Sequence, residues 1–153
     1  MKLIKATVND AKFLWEMQKE SFASLLEKYQ DFDTSPASEP LEKTIFRLDQ
    51  PETYYYIIEK DGEVTGAIRI IDKKDGETRK RISPLYILPK FRNKGFAQQA
   101  IIEVEKIHGA ENWELDTILE EKGNCYLYEK MGYSKTGKTT KINDKLTLVF
   151  YCK

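Results

Sequence analysis

A basic turn in the middle of the chain has the composition of a phosphate-binding site. Residues 86–97 read YILPKFRNKGFA, which is an apolar strand segment, a turn carrying three cations, and the start of a helix. Backbone N–H groups of the turn and of the first helical turn lack partners within the chain, and the helix dipole adds positive charge there. Gly95 and Ala97 carry almost no side chain, so a pyrophosphate can lie against the backbone.

A second candidate for chemistry lies further along the chain, where residues 124–133 read NCYLYEKMGY. Asn124 and Tyr128 are one helical turn apart, so their side chains point the same way. A phenol has an ordinary pKa of about 10, so it stays protonated at neutral pH and can donate a proton or a hydrogen bond. Two other interpretations stay open, Tyr128 as a buried structural tyrosine and Asn124 as a helix cap.

Together the two segments resemble the GNAT superfamily of N-acetyltransferases. Arg92-x-x-Gly95-x-Ala97 after a strand is similar to the acyl-CoA-binding signature, Gln/Arg-x-x-Gly-x-Gly/Ala. Residues 124–133 resemble the other conserved segment of that family, an Asn, a Tyr and then a Gly–aromatic pair that closes a short helix. Neither G-x-x-x-x-G-K-[ST] nor G-x-G-x-x-G after a strand is present, so other nucleotide-binding folds are not supported.

The resemblance implies acetyl-CoA as cosubstrate, no metal, and a set of site residues. Tyr128 is the general acid, and the backbone N–H of Leu88 is the oxyanion contact, with an ordinary strand amide as the other interpretation of Leu88. The resemblance marks no single carboxylate as the base. Asp116 and Glu114 share one face of a predicted strand by alternation, and Asp116 is a candidate base or amine anchor, with a structural or solvent-facing role as the other interpretation. The implied cofactor-binding residues are Ile87, Leu88, Arg92, Asn93, Lys94, Gly95, Phe96, Ala97, Asn124 and Tyr128.

Three further groups of residues are given structural interpretations. The single histidine, His108, falls in the last turn of a predicted helix and is expected at the surface, where a cation suits the helix dipole. Residues 79–81, Arg-Lys-Arg, are expected to form a solvated strand face, with contact to an anionic ligand as the alternative. The three tyrosines at 54–56 are expected as half-buried strand residues, and the alternative places them in the wall of an acceptor cleft.

Composition limits the classes of partner. The chain has 153 residues, with 25 Lys plus Arg and 25 Asp plus Glu, so no basic excess indicates nucleic acid or an anionic membrane as partner. Cys125 and Cys152 are a poor basis for a disulfide framework, which favours a reducing cytoplasm. The N-terminus lacks the apolar run of a signal peptide, and no stretch is apolar enough to cross a membrane.

Hydrophobic periodicity predicts the order β-α-α-β-β-β-α-β-α-β-β. Ser83-Pro84 is expected to interrupt the fourth strand, because proline cannot donate to a sheet. The fold class is therefore α/β (α+β), a single domain over residues 1–153, and the family implies a mixed sheet of about seven strands, splayed at the centre, with about four helices. The predicted elements are strands 3–8, 54–59, 64–71, 77–88, 113–119, 133–138 and 146–151, and helices after Asn9-Asp10, over 41–48, from Gly95 to Gly109 and around Asn124.

The expected function is acetyl-CoA-dependent acetyl transfer to a primary amine of a small molecule, peptide or protein by direct attack. The alternative is a non-catalytic acyl-CoA-binding sensor or regulatory module, which would keep the basic turn without needing Tyr128. A third interpretation is a structural domain that has lost its ligand. Homodimerisation through the last strands follows by analogy with the family only.

Overall fold

Seven strands and four α-helices follow one another along the chain in the predicted order. The computed structural model describes residues 1–153. The elements are β1 (Lys2–Lys5), α1 (Ala11–Tyr29), α2 (Leu41–Asp49), β2 (Thr53–Lys60), β3 (Glu63–Ile71), β4 (Lys80–Ile87), α3 (Phe96–His108), β5 (Trp113–Ile118), α4 (Lys122–Lys130), β6 (Ser134–Lys141) and β7 (Thr147–Cys152). They form one mixed sheet in the order β1-β2-β3-β4-β5-β7-β6. The predicted fold class is confirmed.

Two hydrophobic cores lie on opposite faces of this sheet because strand side chains alternate between the faces. On one face, α3 and α4 pack over β-strand residues such as Ile68 and Leu115. On the other face, α1 packs over Tyr55 and Ala67. Asp116 therefore points to the face covered by α1 and α2. No helix is long and apolar enough to span a membrane.

The sheet opens between its two central strands. β4 pairs with β5 only at Lys80–Trp113 and Arg81–Glu114, and the two strands then separate. Along β3, Ile68 lies opposite Leu85 but Ile70 lies opposite Ile82, so β4 carries one extra residue at Ser83-Pro84. The predicted interruption and the predicted splay are both confirmed.

Two boundaries differ from the predictions for local reasons. β4 begins at Lys80 rather than Glu77, because the Asp75 carboxylate accepts hydrogen bonds from the N–H groups of Glu77 and Thr78 (2.9 and 2.8 Å) and holds these residues in a turn. β6 continues to Lys141 through an irregularity around Gly137, where φ is 94°.

The β6 edge is fully exposed and carries three lysines, which disfavours pairing with the β6 of a second copy. Dimerisation itself stays a prediction.

His108 is buried, so its predicted position at the surface is wrong. Its side chain is 2% exposed, Nδ1 lies 2.8 Å from Asp72 Oδ2, and Nε2 lies 2.9 Å from the Tyr56 hydroxyl. The ring also packs edge-on against Tyr54 and Trp113. Tyr56 lies on β2 and Asp72 directly follows β3, and only the folded sheet brings them beneath the end of α3.

We expect Asp72→Asn to lower the free energy of unfolding at neutral pH by about 1–3 kcal/mol and to flatten its dependence on acid. Burial raises the pKa of Asp72, but hydrogen bonds from His108 and the Lys74 N–H outweigh it, so the net pKa lies below the ordinary 3.8. A carboxylate with a lowered folded-state pKa stabilises the protein above about pH 4, and this stabilisation is lost as pH falls through the folded value. Urea unfolding between pH 7 and pH 2.5 measures the difference.

Asp144→Asn is the matched control for this prediction, because the Asp144 side chain is 99% exposed. It should behave as the wild type at every pH. Equal acid sensitivity of the wild type and Asp72→Asn would contradict the assignment of a stabilising bond between Asp72 and His108.

Candidate active site

A cleft of about 900 Å³ passes through the gap between β4 and β5. Residues 83–87 of β4 and the end of β5 (116–118) line it. Its walls come from both faces of the sheet: α1, the segment after it and α2 on one side, and the N-terminus of α3 together with α4 on the other. Ligands approaching from opposite faces can therefore meet within the sheet.

The N-terminus of α3 supplies free backbone donors to this cleft. The first hydrogen bond of the helix joins the Gln99 N–H to the Gly95 carbonyl (3.0 Å), so the N–H groups of residues 96–98 have no acceptor in the helix. Asn93 and Gly95 have φ values of 62° and 78°, in the left-handed region. A Cβ at Gly95 would meet no atom within 4 Å, so open space lies over this turn. The turn thus fits a pyrophosphate.

Most of the predicted site residues lie together in the cleft wall. Two predicted cofactor residues, Leu88 and Lys94, do not line it. Leu88 lies instead at a shallow groove beside α1, with Phe13 and Val64. The residues that do line the cleft are Ile87, Arg92, Asn93, Gly95, Phe96, Ala97, Asp116, Asn124 and Tyr128.

The Leu88 backbone is not available as an oxyanion contact, so that assignment is wrong. Its N–H donates to the Thr65 carbonyl of β3 at 2.8 Å. Since successive N–H groups of a strand alternate in direction, those of Leu85 and Ile87 point away from β3, toward the gap. The candidate donors to an oxyanion are therefore these two N–H groups.

The Arg92 side chain joins β4 to α1. Its Nε donates to the Ile87 carbonyl (3.0 Å) and its Nη2 to the Ser21 carbonyl (2.5 Å). If the Arg92 guanidinium bound phosphates directly, as expected from the sequence, it would have to give up these two hydrogen bonds. The guanidinium is therefore a structural connection beside the basic turn.

We expect Arg92→Met to lower the free energy of unfolding by about 1–3 kcal/mol, because two carbonyl oxygens lose a charged donor. Urea denaturation measures this change. Lys94→Met serves as the control, since Lys94 is exposed and makes no hydrogen bond or ion pair. Unchanged stability of Arg92→Met combined with weaker acetyl-CoA binding would instead indicate a direct phosphate contact.

Tyr128 reaches the cleft from the core beneath α4. Its ring packs edge-on against Tyr133 (centroids 5.8 Å apart) and lies 6.3 Å from Tyr151, and no protein group hydrogen-bonds to its hydroxyl. Burial raises the pKa of Tyr128 well above 10, so the hydroxyl keeps its proton.

Asn124 lies in the first turn of α4, which begins at Lys122 after Glu121, so its interpretation as a helix cap is wrong.

The acidic side chains in the cleft are mostly ion-paired. Asp116 accepts a hydrogen bond from Arg81 Nη2, which favours its structural interpretation over a role as base. Glu121, which the sequence did not mark, lines the cleft at the start of α4, and its Oε2 accepts from Tyr29 Oη (2.5 Å) and Lys28 (2.8 Å). Burial raises the pKa of Glu121, but these two hydrogen bonds bring the net value below its ordinary range.

The sequence model of the acetyltransferase (GNAT) family matches residues 14–133, which include the basic turn and the Tyr128 segment. The chain belongs to the GNAT family. Membership makes it an acetyl-CoA-dependent N-acetyltransferase. No curated protein matches the sequence.

Solved structures share the GNAT fold at low identity. An acetyltransferase from Thermus thermophilus is 15% identical, with a TM-score of 0.72 over 98% of this chain and 94% of that one. A spermidine N-acetyltransferase chimera from Vibrio cholerae and hSSAT is 16% identical, with a TM-score of 0.73 over 99% and 95%. An aminoglycoside 6'-N-acetyltransferase from Enterococcus faecium is 16% identical, with a TM-score of 0.66 over 100% and 96%.

Proposed function

We propose that residues 1–153 act as a single domain that transfers the acetyl group of acetyl-CoA to a primary amine of a small molecule, peptide or protein by direct attack. One observation carries this proposal: a single cleft joins the unpartnered N–H groups of α3 to the free hydroxyl of Tyr128. The free thiols of Cys125 and Cys152 support a reducing cytoplasm as the compartment.

The roles follow from what each group can donate. The N–H groups at the start of α3 bind the pyrophosphate, and the backbone of β4 contacts the pantetheine arm in the gap, with Asn124 at its side. The N–H groups of Leu85 and Ile87 stabilise the oxyanion that forms when the amine attacks the thioester carbonyl. The C–N bond forms, the C–S bond breaks, and Tyr128 donates its proton to the departing thiolate.

The amine loses its proton to water or to a group other than Asp116, whose carboxylate is engaged with Arg81. Spermidine and aminoglycosides, the acceptors named for two of the similar structures, are both amines, which supports this acceptor class.

Thiol release from acetyl-CoA, measured across a panel of amino acids, polyamines, aminoglycosides and short peptides, tests the proposal. Amine-dependent release above the background hydrolysis rate is the expected result. Binding of acetyl-CoA by calorimetry with no release for any amine would contradict it and would indicate the sensor instead. Absence of acetyl-CoA binding would contradict both the acetyltransferase and the sensor.

A further inference from the structure

The side of the cleft covered by α2 holds more cations than carboxylates. Arg47 forms a bidentate ion pair with Glu39, in which its two terminal nitrogens lie 2.9 and 2.8 Å from the two carboxylate oxygens. Lys43 Nζ lies 2.9 Å from the same carboxylate. Glu39, Lys43 and Arg47 all line the cleft. Two cations thus share one negative charge at this wall.

A third cation, Arg69, lies behind the β4 bulge and forms no ion pair with a carboxylate. The residue is 5% exposed, and its guanidinium donates to the Ser83 carbonyl and to Gln50 Oε1, both at 2.7 Å. Both acceptors are neutral, and Arg69 Nε has no partner. Burial and repulsion from Arg47 lower the pKa of Arg69 to about 10, so it remains charged at neutral pH.

The neighbourhood therefore carries a positive excess. Arg81 lies close enough to repel Arg69, and it is neutralised by Asp116. Four cations, Lys43, Arg47, Arg69 and Arg81, form what we call the cation group. They are accompanied by only two carboxylates, Glu39 and Asp116. A buried uncompensated charge is costly, and a low-dielectric wall carries its field into the cleft.

One free carboxylate in the cleft wall could instead favour a cationic acceptor. Asp31 lines the cleft without a cationic partner, and one of its carboxylate oxygens is buried and unpaired. It follows the end of α1, whereas the cation group lies between α2 and the bulge. A purely cationic acceptor would find only this one free carboxylate and would face the cation group unpaired.

We propose that the acceptor carries a carboxylate as well as its amine, and that Lys43 and Arg47 bind this carboxylate. The proposal rests on the N-acetyltransferase function proposed above. Arg69 acts through its field, because it does not line the cleft, and the donors of Lys43 and Arg47 not used by Glu39 make the contacts. The acceptor class is thus an amino acid or a peptide with an accessible carboxylate.

Matched acceptor pairs test this inference. Leucine is compared with leucinamide, phenylalanine with phenylalaninamide, and 6-aminohexanoate with hexylamine; spermidine is the cationic reference. We expect kcat/KM for the carboxylate member of at least one pair to exceed that of its partner by about 10-fold or more, as for loss of a charge-assisted contact. Lys43→Met and Arg47→Lys should each reduce this ratio by lowering kcat/KM for the carboxylate member.

Lys130→Met is the control, because Lys130 lines the cleft from α4 on the other face and should leave the ratio unchanged. Lys43 is half exposed, so Lys43→Met should fold normally even if changes at Arg47 do not. The inference would be overturned if no carboxylate member exceeded its amide or alkylamine partner in kcat/KM, or if spermidine exceeded every carboxylate acceptor, and this second outcome would point to Asp31.

Calorimetry separates failure of this inference from failure of the proposed function. Leucine, phenylalanine and 6-aminohexanoate are titrated into the wild-type complex with CoA. If none binds or reacts while acetyl-CoA binding persists, the carboxylate assignment is wrong and the cofactor site stands. If acetyl-CoA itself does not bind, the proposed function fails first.

Discussion

Gly95→Ala is expected to weaken acetyl-CoA binding by about 10-fold or more, a loss of about 1.4 kcal/mol. The new Cβ would project into the open space beside this turn, where we place the pyrophosphate. At φ 78° the alanine also strains the backbone by about 1–2 kcal/mol. Calorimetry with acetyl-CoA and urea unfolding measure the two effects separately.

Gly76→Ala isolates the effect of strain. Gly76 has φ 75° and likewise no atom within 4 Å of a built Cβ, but it lies in the turn between β3 and β4, outside the cleft. Both variants should lose similar stability, and only Gly95→Ala should lose affinity. Equal acetyl-CoA affinity of the two variants would remove the basic turn from the binding site.

Tyr128→Phe is expected to lower kcat by about 10²-fold or more, because the thiolate leaves without its proton donor. The dissociation constant of acetyl-CoA should stay within about twofold, since the ring and its packing on Tyr133 and Tyr151 are retained. Steady-state kinetics and calorimetry provide the two values. A normal kcat would make Tyr128 a structural residue.

Tyr133→Phe is the matched control for the acid. Tyr133 is buried against Tyr128, its hydroxyl has no partner, and it does not line the cleft. Loss of this hydroxyl should leave kcat unchanged and should not lower stability, because an unsatisfied buried group disappears. Because burial raises the pKa of Tyr128, the wild-type rate should also show no alkaline loss from this group below about pH 10.

The sequence identified those parts of the site that depend on local chemistry. The basic turn needs a left-handed Gly95 and free N–H groups, and both are properties of adjacent residues. The order of elements follows from hydrophobic periodicity, and Pro84 marked the interruption of β4. These signals sufficed for the family, the fold and most of the predicted residues that line the cleft.

The parts that the sequence could not predict depend on pairing between distant residues. Whether Leu88 or Ile87 directs its N–H into the gap is set by the register of β4 against β3, which one bulged residue shifts. The bond between Tyr29 and Glu121 joins residues 92 positions apart, and nothing near either residue indicates it. The cation group around Arg69 likewise arises only when α2 packs over the sheet.

The passage of the cleft through the sheet also bears on the order in which substrates bind and products leave. In the proposed function the two substrates approach the cleft from opposite faces of the sheet, so neither has to pass the other and both can be present before reaction. Initial-rate plots should then intersect, and free CoA can depart while the acetylated amine is still bound. In this proposal the gap between β4 and β5 allows acetyl-CoA and the amine each to bind without waiting for the other.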